Sequence, residues 1–139
     1  MHIRIDFIKS HKMSKRRLKL NTISEADIQA SILQYLSLRK IFAWRMPVGP
    51  VVHRKNIKGT LKEFWKASPL KGFPDIAGVF RRKNNGKFFV IEVKRRDGRL
   101  TPAQVDWIKN LEEAGAACLV ARSVRDVEKF MIEWGEIAS

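Results

Sequence analysis

Two short apolar runs, Phe88–Val93 and Ala116–Ala121, bracket a stretch that carries the marks of a helix. Thr101-Pro102 opens that stretch, Val105, Ile108 and Leu111 follow at helical spacing, and Gly115 stops it. A helix of this length between two strands is a crossover connection, which brings the strands side by side in parallel. Phe88–Val93 is apolar on both faces, so it belongs in the middle of a sheet that is covered on both sides.

The remaining segments build around that unit. Ser24 caps a helix, with Asp27 three residues on in a loose capping box, and Ile28, Ile32, Tyr35 and Leu36 form its apolar stripe to about Arg39. Ile41–Met46 reads as a short strand ended by the turn Pro47–Pro50. Residues 51–71 are basic and irregular, with a short helix expected at Leu61–Ala67. Phe73–Phe80 is strand-like, and Arg81–Gly86 is a turn rich in asparagine and glycine. Ser123 caps a last helix whose Val127, Phe130, Met131 and Trp134 share a face. The order is helix, strand, strand, strand, helix, strand, helix: an α/β chain with a mixed four-stranded sheet flanked by helices. With 139 residues, 45% of them hydrophobic, residues 22–139 suit one domain. Residues 1–21 read instead as a basic arm, and Met13 is as good a start as Met1.

Charge points to the partner. Residues 1–99 hold 24 lysines and arginines against 7 acids, whereas residues 100–139 hold 4 against 7. A one-sided basic field attracts a polyanion and gains affinity by releasing the counterions condensed on it. The expected partner is therefore nucleic acid, contacted through Lys55, Lys58, Lys62, Lys66, Lys71, Arg95, Arg96 and Arg99, which read shape and charge rather than sequence. Other classes fall away. Cys118 alone makes neither an intrachain disulfide nor a cysteine zinc cluster, and His2, His11 and His53 are too scattered for an HExxH site. No apolar run approaches the ~20 residues of a membrane span, and no secretory leader is expected. A cytoplasmic chain associated with nucleic acid is expected.

Asp75 and Glu92 stand where strands should be apolar. Side chains alternate along a strand, so Glu92 and Lys94 share a face. If Arg81–Gly86 is the hairpin loop, Phe80 pairs with Lys87 and Asp75 falls opposite Glu92, with Cβ atoms ~5 Å apart. If Asn85-Gly86 is instead a tight turn, Glu92 faces Val79 and the acids separate. Two close carboxylates repel, a divalent cation resolves the repulsion, and hard oxygen ligands favour magnesium or manganese. Lys94 beside them suits phosphodiester hydrolysis, orienting a water or holding transition-state charge. A plainer account makes Glu92 and Lys94 an edge-strand charge pair and Asp75 a turn residue. On a helical wheel at ~100° per residue, Glu25 falls on the face of Ile28, Ile32 and Leu36, where an unpaired carboxylate is costly, although a first-turn acid also complements the helix dipole. Gln104 occupies the capping-box position behind Thr101 yet also lines up with Ile108 and Leu111. Trp44, Phe64 and Trp65 read as core residues first and as an interface second.

Taken together, Lys71-Gly72-Phe73-Pro74-Asp75-Ile76, Ile91-Glu92-Val93-Lys94 and Thr101-x-x-Gln104-x-x-Trp107 resemble the VRR-NUC family (virus-type replication-repair nucleases) of the PD-(D/E)XK superfamily, over about residues 24–125. The resemblance implies a restriction-endonuclease-like αβββαβ core, to which this chain adds a C-terminal helix. It implies that Asp75, Glu92 and the Val93 carbonyl hold magnesium or manganese and that Lys94 is catalytic. Glu25 would be the acid from the first helix, within reach of the metal, and Gln104 an active-site or DNA-contacting residue. The family includes stand-alone phage and bacterial forms of this size, some of them Holliday-junction resolvases, and larger repair nucleases carrying the domain at one end. The expected function is a metal-dependent, structure-selective DNA endonuclease of the resolvase type. Paired incisions would call for a homodimer acting on branched or duplex DNA. The alternatives are a flap or nicking nuclease acting as a monomer, and a non-catalytic nucleic-acid-binding protein on the same fold.

Overall fold

The computed structural model describes residues 23–139; the basic arm expected at 1–21 lies outside them. The elements are α1 Glu25–Leu38, β1 Ala43–Arg45, β2 Val51–Ile57, β3 Thr60–Lys66, β4 Ile76–Val79, β5 Phe88–Val93, α2 Pro102–Glu113, β6 Ala117–Ala121 and α3 Val124–Glu133. Four strands form one mixed sheet in the order β1-β4-β5-β6. The first two pairings are antiparallel, and β5–β6 is parallel, as the crossover helix requires.

Alternation along β5 divides the interior. Phe89, Ile91 and Val93 turn toward α1 and α3, where they join Ile32, Leu36, Val127, Phe130 and Met131 in the larger core. Val90 turns the other way, packing with Phe73 and Ala77 against Trp107 and Leu111 of α2. Glu92 and Lys94 have the same parity as Val90, so they emerge on the α2 side at the C-terminal end of the strand. β5 is the central strand expected, with β4 and β6 on either side.

The helices are delimited by their caps. The hydroxyls of Ser24, Thr101 and Ser123 accept the N–H groups of Asp27, Gln104 and Asp126. The three helices among the described residues end alike. The N–H groups of Ile41, Ala116 and Glu136 bond back to the carbonyls of Leu36, Leu111 and Met131. The residue before each (Lys40, Gly115 or Gly135) takes a positive φ. Lys40 does so without glycine's freedom, and the buried contact of Ile41 and Leu36 within the core offsets its strain.

The irregular stretch expected at 51–71, with its short helix at 61–67, is instead an antiparallel ribbon of β2 and β3. Lys58-Gly59 forms its two-residue turn, both residues at positive φ, the type I′ geometry that suits the twist of a hairpin. This ribbon packs against no other helix or strand among the described residues. Its aromatic residues are correspondingly not core: Phe64 is 44% and Trp65 68% exposed, and Trp44 on the edge strand β1 is 39% exposed. The expectation that these three are buried is overturned, because a two-layer core of this size is already filled from the four-stranded sheet.

Gly72 fixes how the site segment meets α2. Its φ of +85° suits glycine, and a Cβ there would lie 2.7 Å from the Cβ of Ala103. The adjacent Lys71 carbonyl accepts the indole N–H of Trp107 at 3.0 Å. Gly72→Ala should therefore cost about 2–4 kcal/mol, combining left-handed strain with an overpacked contact. A thermal melt lowered by several degrees relative to wild type would show it.

Candidate active site

The register of β4 and β5 brings the two acids together. Ile76 pairs with Ile91, and the Phe80 N–H donates to the Lys87 carbonyl at 2.9 Å, so the longer loop is the one formed. One step beyond Ile76–Ile91, Asp75 stands across from Glu92. β4 has ended there, and the Asp75 carboxylate continues the ladder by accepting the Val93 N–H at 2.8 Å. The Asp75 carbonyl accepts from Met46 at 2.8 Å on the other side. Asp75 is thus tied to both neighbours of its strand. A residue's N–H and C=O point to the same side of a strand, so the Val93 carbonyl is directed to the same edge as the Asp75 carboxylate.

Glu92 is 2% exposed, and its two oxygens differ. Oε1 accepts the side-chain amide of Gln104 at 3.0 Å and lies 3.7 Å from the ammonium of Lys94, itself 7% exposed. Oε2 is buried without a hydrogen-bond donor. Burial, the largest cause, together with the charge of Asp75, pushes Glu92 up to about 8; the Lys94 ammonium opposes the rise, while a proton shared with Asp75 and the charge of Glu25 add to it. A buried oxygen without a donor, beside a second carboxylate, calls for a cation. The donors are all hard oxygens, which fits magnesium or manganese. The residues present therefore fit a divalent metal.

Gln104 has two tasks at once. Its backbone N–H bonds the Thr101 hydroxyl at 3.3 Å and its side-chain oxygen accepts the Thr101 N–H at 2.9 Å, completing a capping box. The remaining amide N–H then has one direction left, toward Glu92. Glu25 stands slightly apart, with Oε1 3.5 Å from the Arg95 N–H and 3.1 Å from where a Cβ on Gly98 would lie. Among the described residues no three acidic, histidine or cysteine side chains group as metal ligands. Glu25 backs the loop that follows β5.

That loop carries Arg95, Arg96 and Arg99, all exposed. Arg122 holds it from the next strand: its guanidinium donates to the carbonyls of Arg95, Arg96 (3.2 Å) and Gly98 (2.8 Å). Sequence reasoning missed Arg122. The available signal was its place immediately after a buried parallel strand, where C-terminal ends lie side by side. Lys55, Lys58, Lys62 and Lys66 are on the ribbon and Lys71 is at its foot, each exposed.

The family model for the VRR-NUC domain matches residues 23–125. It implies a nuclease of the PD-(D/E)XK type on a restriction-endonuclease-like fold, a superfamily that typically uses divalent metals. Comparison with curated proteins gives no match. No helix among the described residues is long and apolar enough to cross a membrane.

Folded Glu92 keeps its proton to about pH 8, against an ordinary value of 4.5. The folded state thus binds more protons than the unfolded one in that window, and stability falls as pH rises through it. In chelator, wild type should lose stability between pH 4.5 and 8 through this group, with a ceiling of about 5 kcal/mol, while Glu92→Gln should show a flatter profile. Denaturant melts across pH compare the two.

Proposed function

The chain belongs to the VRR-NUC family, and on that premise we propose that it is a metal-dependent, structure-selective DNA endonuclease of the Holliday-junction-resolvase type. The observation that carries the reading is the buried Glu92 Oε2, which has no donor, beside Asp75. Asp75, Glu92 and the Val93 carbonyl are the proposed ligands of magnesium or manganese. When bound, the ion would acidify a water and neutralise phosphate charge.

The protein groups do the rest. The Val93 N–H holds the Asp75 carboxylate in one orientation, and the Gln104 amide holds Glu92 by Oε1, leaving Oε2 to face the site. Lys94, kept dry and close to Glu92, supplies a positive charge that can orient the attacking water or stabilise the phosphorane-like transition state. Glu25 adds negative charge at the same strand end and steadies the loop of Arg95, Arg96 and Arg99. Those arginines, with Lys71 and the ribbon lysines, are proposed to meet phosphates.

Resolving a four-way junction takes two incisions in symmetry-related strands, and one chain offers one carboxylate site. A homodimer is therefore proposed. Exposed Phe42 and Trp44, whose ring centroids lie 5.5 Å apart at the edge strand β1, support it.

Asp75→Asn keeps an acceptor for the Val93 N–H and removes the charge. It should bind a four-way junction within a few-fold of wild type and cut it at least about 100-fold more slowly. Magnesium should raise the melting temperature of wild type and leave that of Asp75→Asn unchanged. Cutting at the wild-type rate would refute the metal site. Single, unpaired incisions by a protein that sizes as a monomer would refute the resolvase assignment and leave a flap or nicking enzyme.

A further inference from the structure

The β2–β3 ribbon has two chemically different faces. Val51, His53, Lys55 and Ile57 share one face with Thr60, Lys62, Phe64 and Lys66, by parity and register. The other face carries Val52, Arg54, Asn56, Leu61, Glu63 and Trp65. On this second face the only charges neutralise each other, since Arg54 Nε lies 3.0 Å from Glu63 Oε1. The first face holds three lysines and no acid. Moreover, Lys55 sits directly across from Lys62, where like charges destabilise a hairpin. Among the described residues no other helix or strand packs on the ribbon to compensate. A polyanion laid over the face would compensate, and the exposed ring of Phe64 among the lysines adds apolar contact.

We propose that the lysine face of this ribbon docks in the major groove of a duplex DNA arm beside the scissile bond. Dimensions agree. A two-stranded ribbon fits a groove ~12 Å wide, and seven residues at ~3.4 Å each reach along roughly seven base pairs. Lysines on both strands then face both walls of the groove, Lys55 on one and Lys62 and Lys66 on the other. β3 runs through Ser68–Lys71 into Gly72-Phe73-Pro74-Asp75, so the segment that grips the arm leads straight into the one that bears a proposed metal ligand. The inference rests on the proposed nuclease function only for where the bond is cut; the docking stands or falls on binding.

The test uses the full chain in chelator, with a labelled 20-base-pair duplex, over a salt series. The triple variant Lys55→Gln, Lys62→Gln and Lys66→Gln should bind at least about tenfold more weakly at low salt. Its slope of log affinity against log salt should shrink by nearly three, at ~0.9 for each phosphate the protein no longer neutralises. The corresponding triple arginine variant should keep both values. Because no other described helix or strand packs on the ribbon and the substitutions relieve repulsion across it, the glutamine variant should melt no lower than wild type. A chain in which residues 51–66 are replaced by a short Gly-Ser link gives the same reading if that variant melts lower. Wild-type affinity and slope in the glutamine variant would overturn the proposal. So would retained DNA binding together with loss of self-association, which would make the ribbon a contact between copies. Hydrolysis of bis(4-nitrophenyl) phosphate by wild type with manganese, a substrate too small to reach the ribbon, reports on the active site separately. If wild type does not hydrolyse it, the active-site proposal fails while the binding result still decides this one.

Discussion

Two carboxylates facing one another at the end of a sheet are an unfavourable arrangement, and the chain makes it unavoidable. Pairing Ile76 with Ile91 places Asp75 across from Glu92 whatever the side chains prefer. Each acid is then fixed from outside the pair, Asp75 by the Val93 N–H and Glu92 by Gln104. Neither can rotate into solvent to relieve the repulsion without breaking one of these bonds. Burial raises the cost further, and Glu92 holds on to a proton in response. The packing of the sheet on both faces supplies the stability that maintains this local strain.

The supports come from every part of the crossover unit. The residue before β4 is Asp75, β5 contributes Glu92 with Lys94 just after it, the first turn of α2 contributes Gln104, and Arg122 follows β6. The cap of α2 is therefore not separable from the site. Thr101 fixes the side-chain oxygen of Gln104, and that leaves its amide nitrogen committed to Glu92. Gly72 and Trp107 press the segment before Asp75 onto the same helix.

What could be read in the sequence was what burial dictates. The central strand 88–93 and the crossover helix follow from apolar patterning, and the structure has them; the loop length left two registers open, and the structure has the one that sets Asp75 across from Glu92. The ribbon was not legible because it buries little, with only Val52 and Ile57 half-buried. Apolar periodicity reports packing against a core, and β2 and β3 have no such packing. Only Lys58-Gly59 marked it, as an unusual version of an asparagine-glycine turn. The same lack of burial explains Phe64 and Trp65, which were expected inside because large aromatics usually are. Arg122 escaped notice because its partners are three backbone carbonyls, which carry no sequence signature.

A ribbon standing free of the sheet has bare hydrogen-bonding edges, and this one also exposes Val51, Leu61, Phe64 and Trp65. Such a surface invites strands of other chains to add on, the first step of aggregation. The lysines spaced along it oppose that addition by mutual repulsion between molecules. Solubility of the free protein thus depends on the same positive charges that crowd one face of the hairpin. Neutralising them without a replacement charge trades one hazard for another.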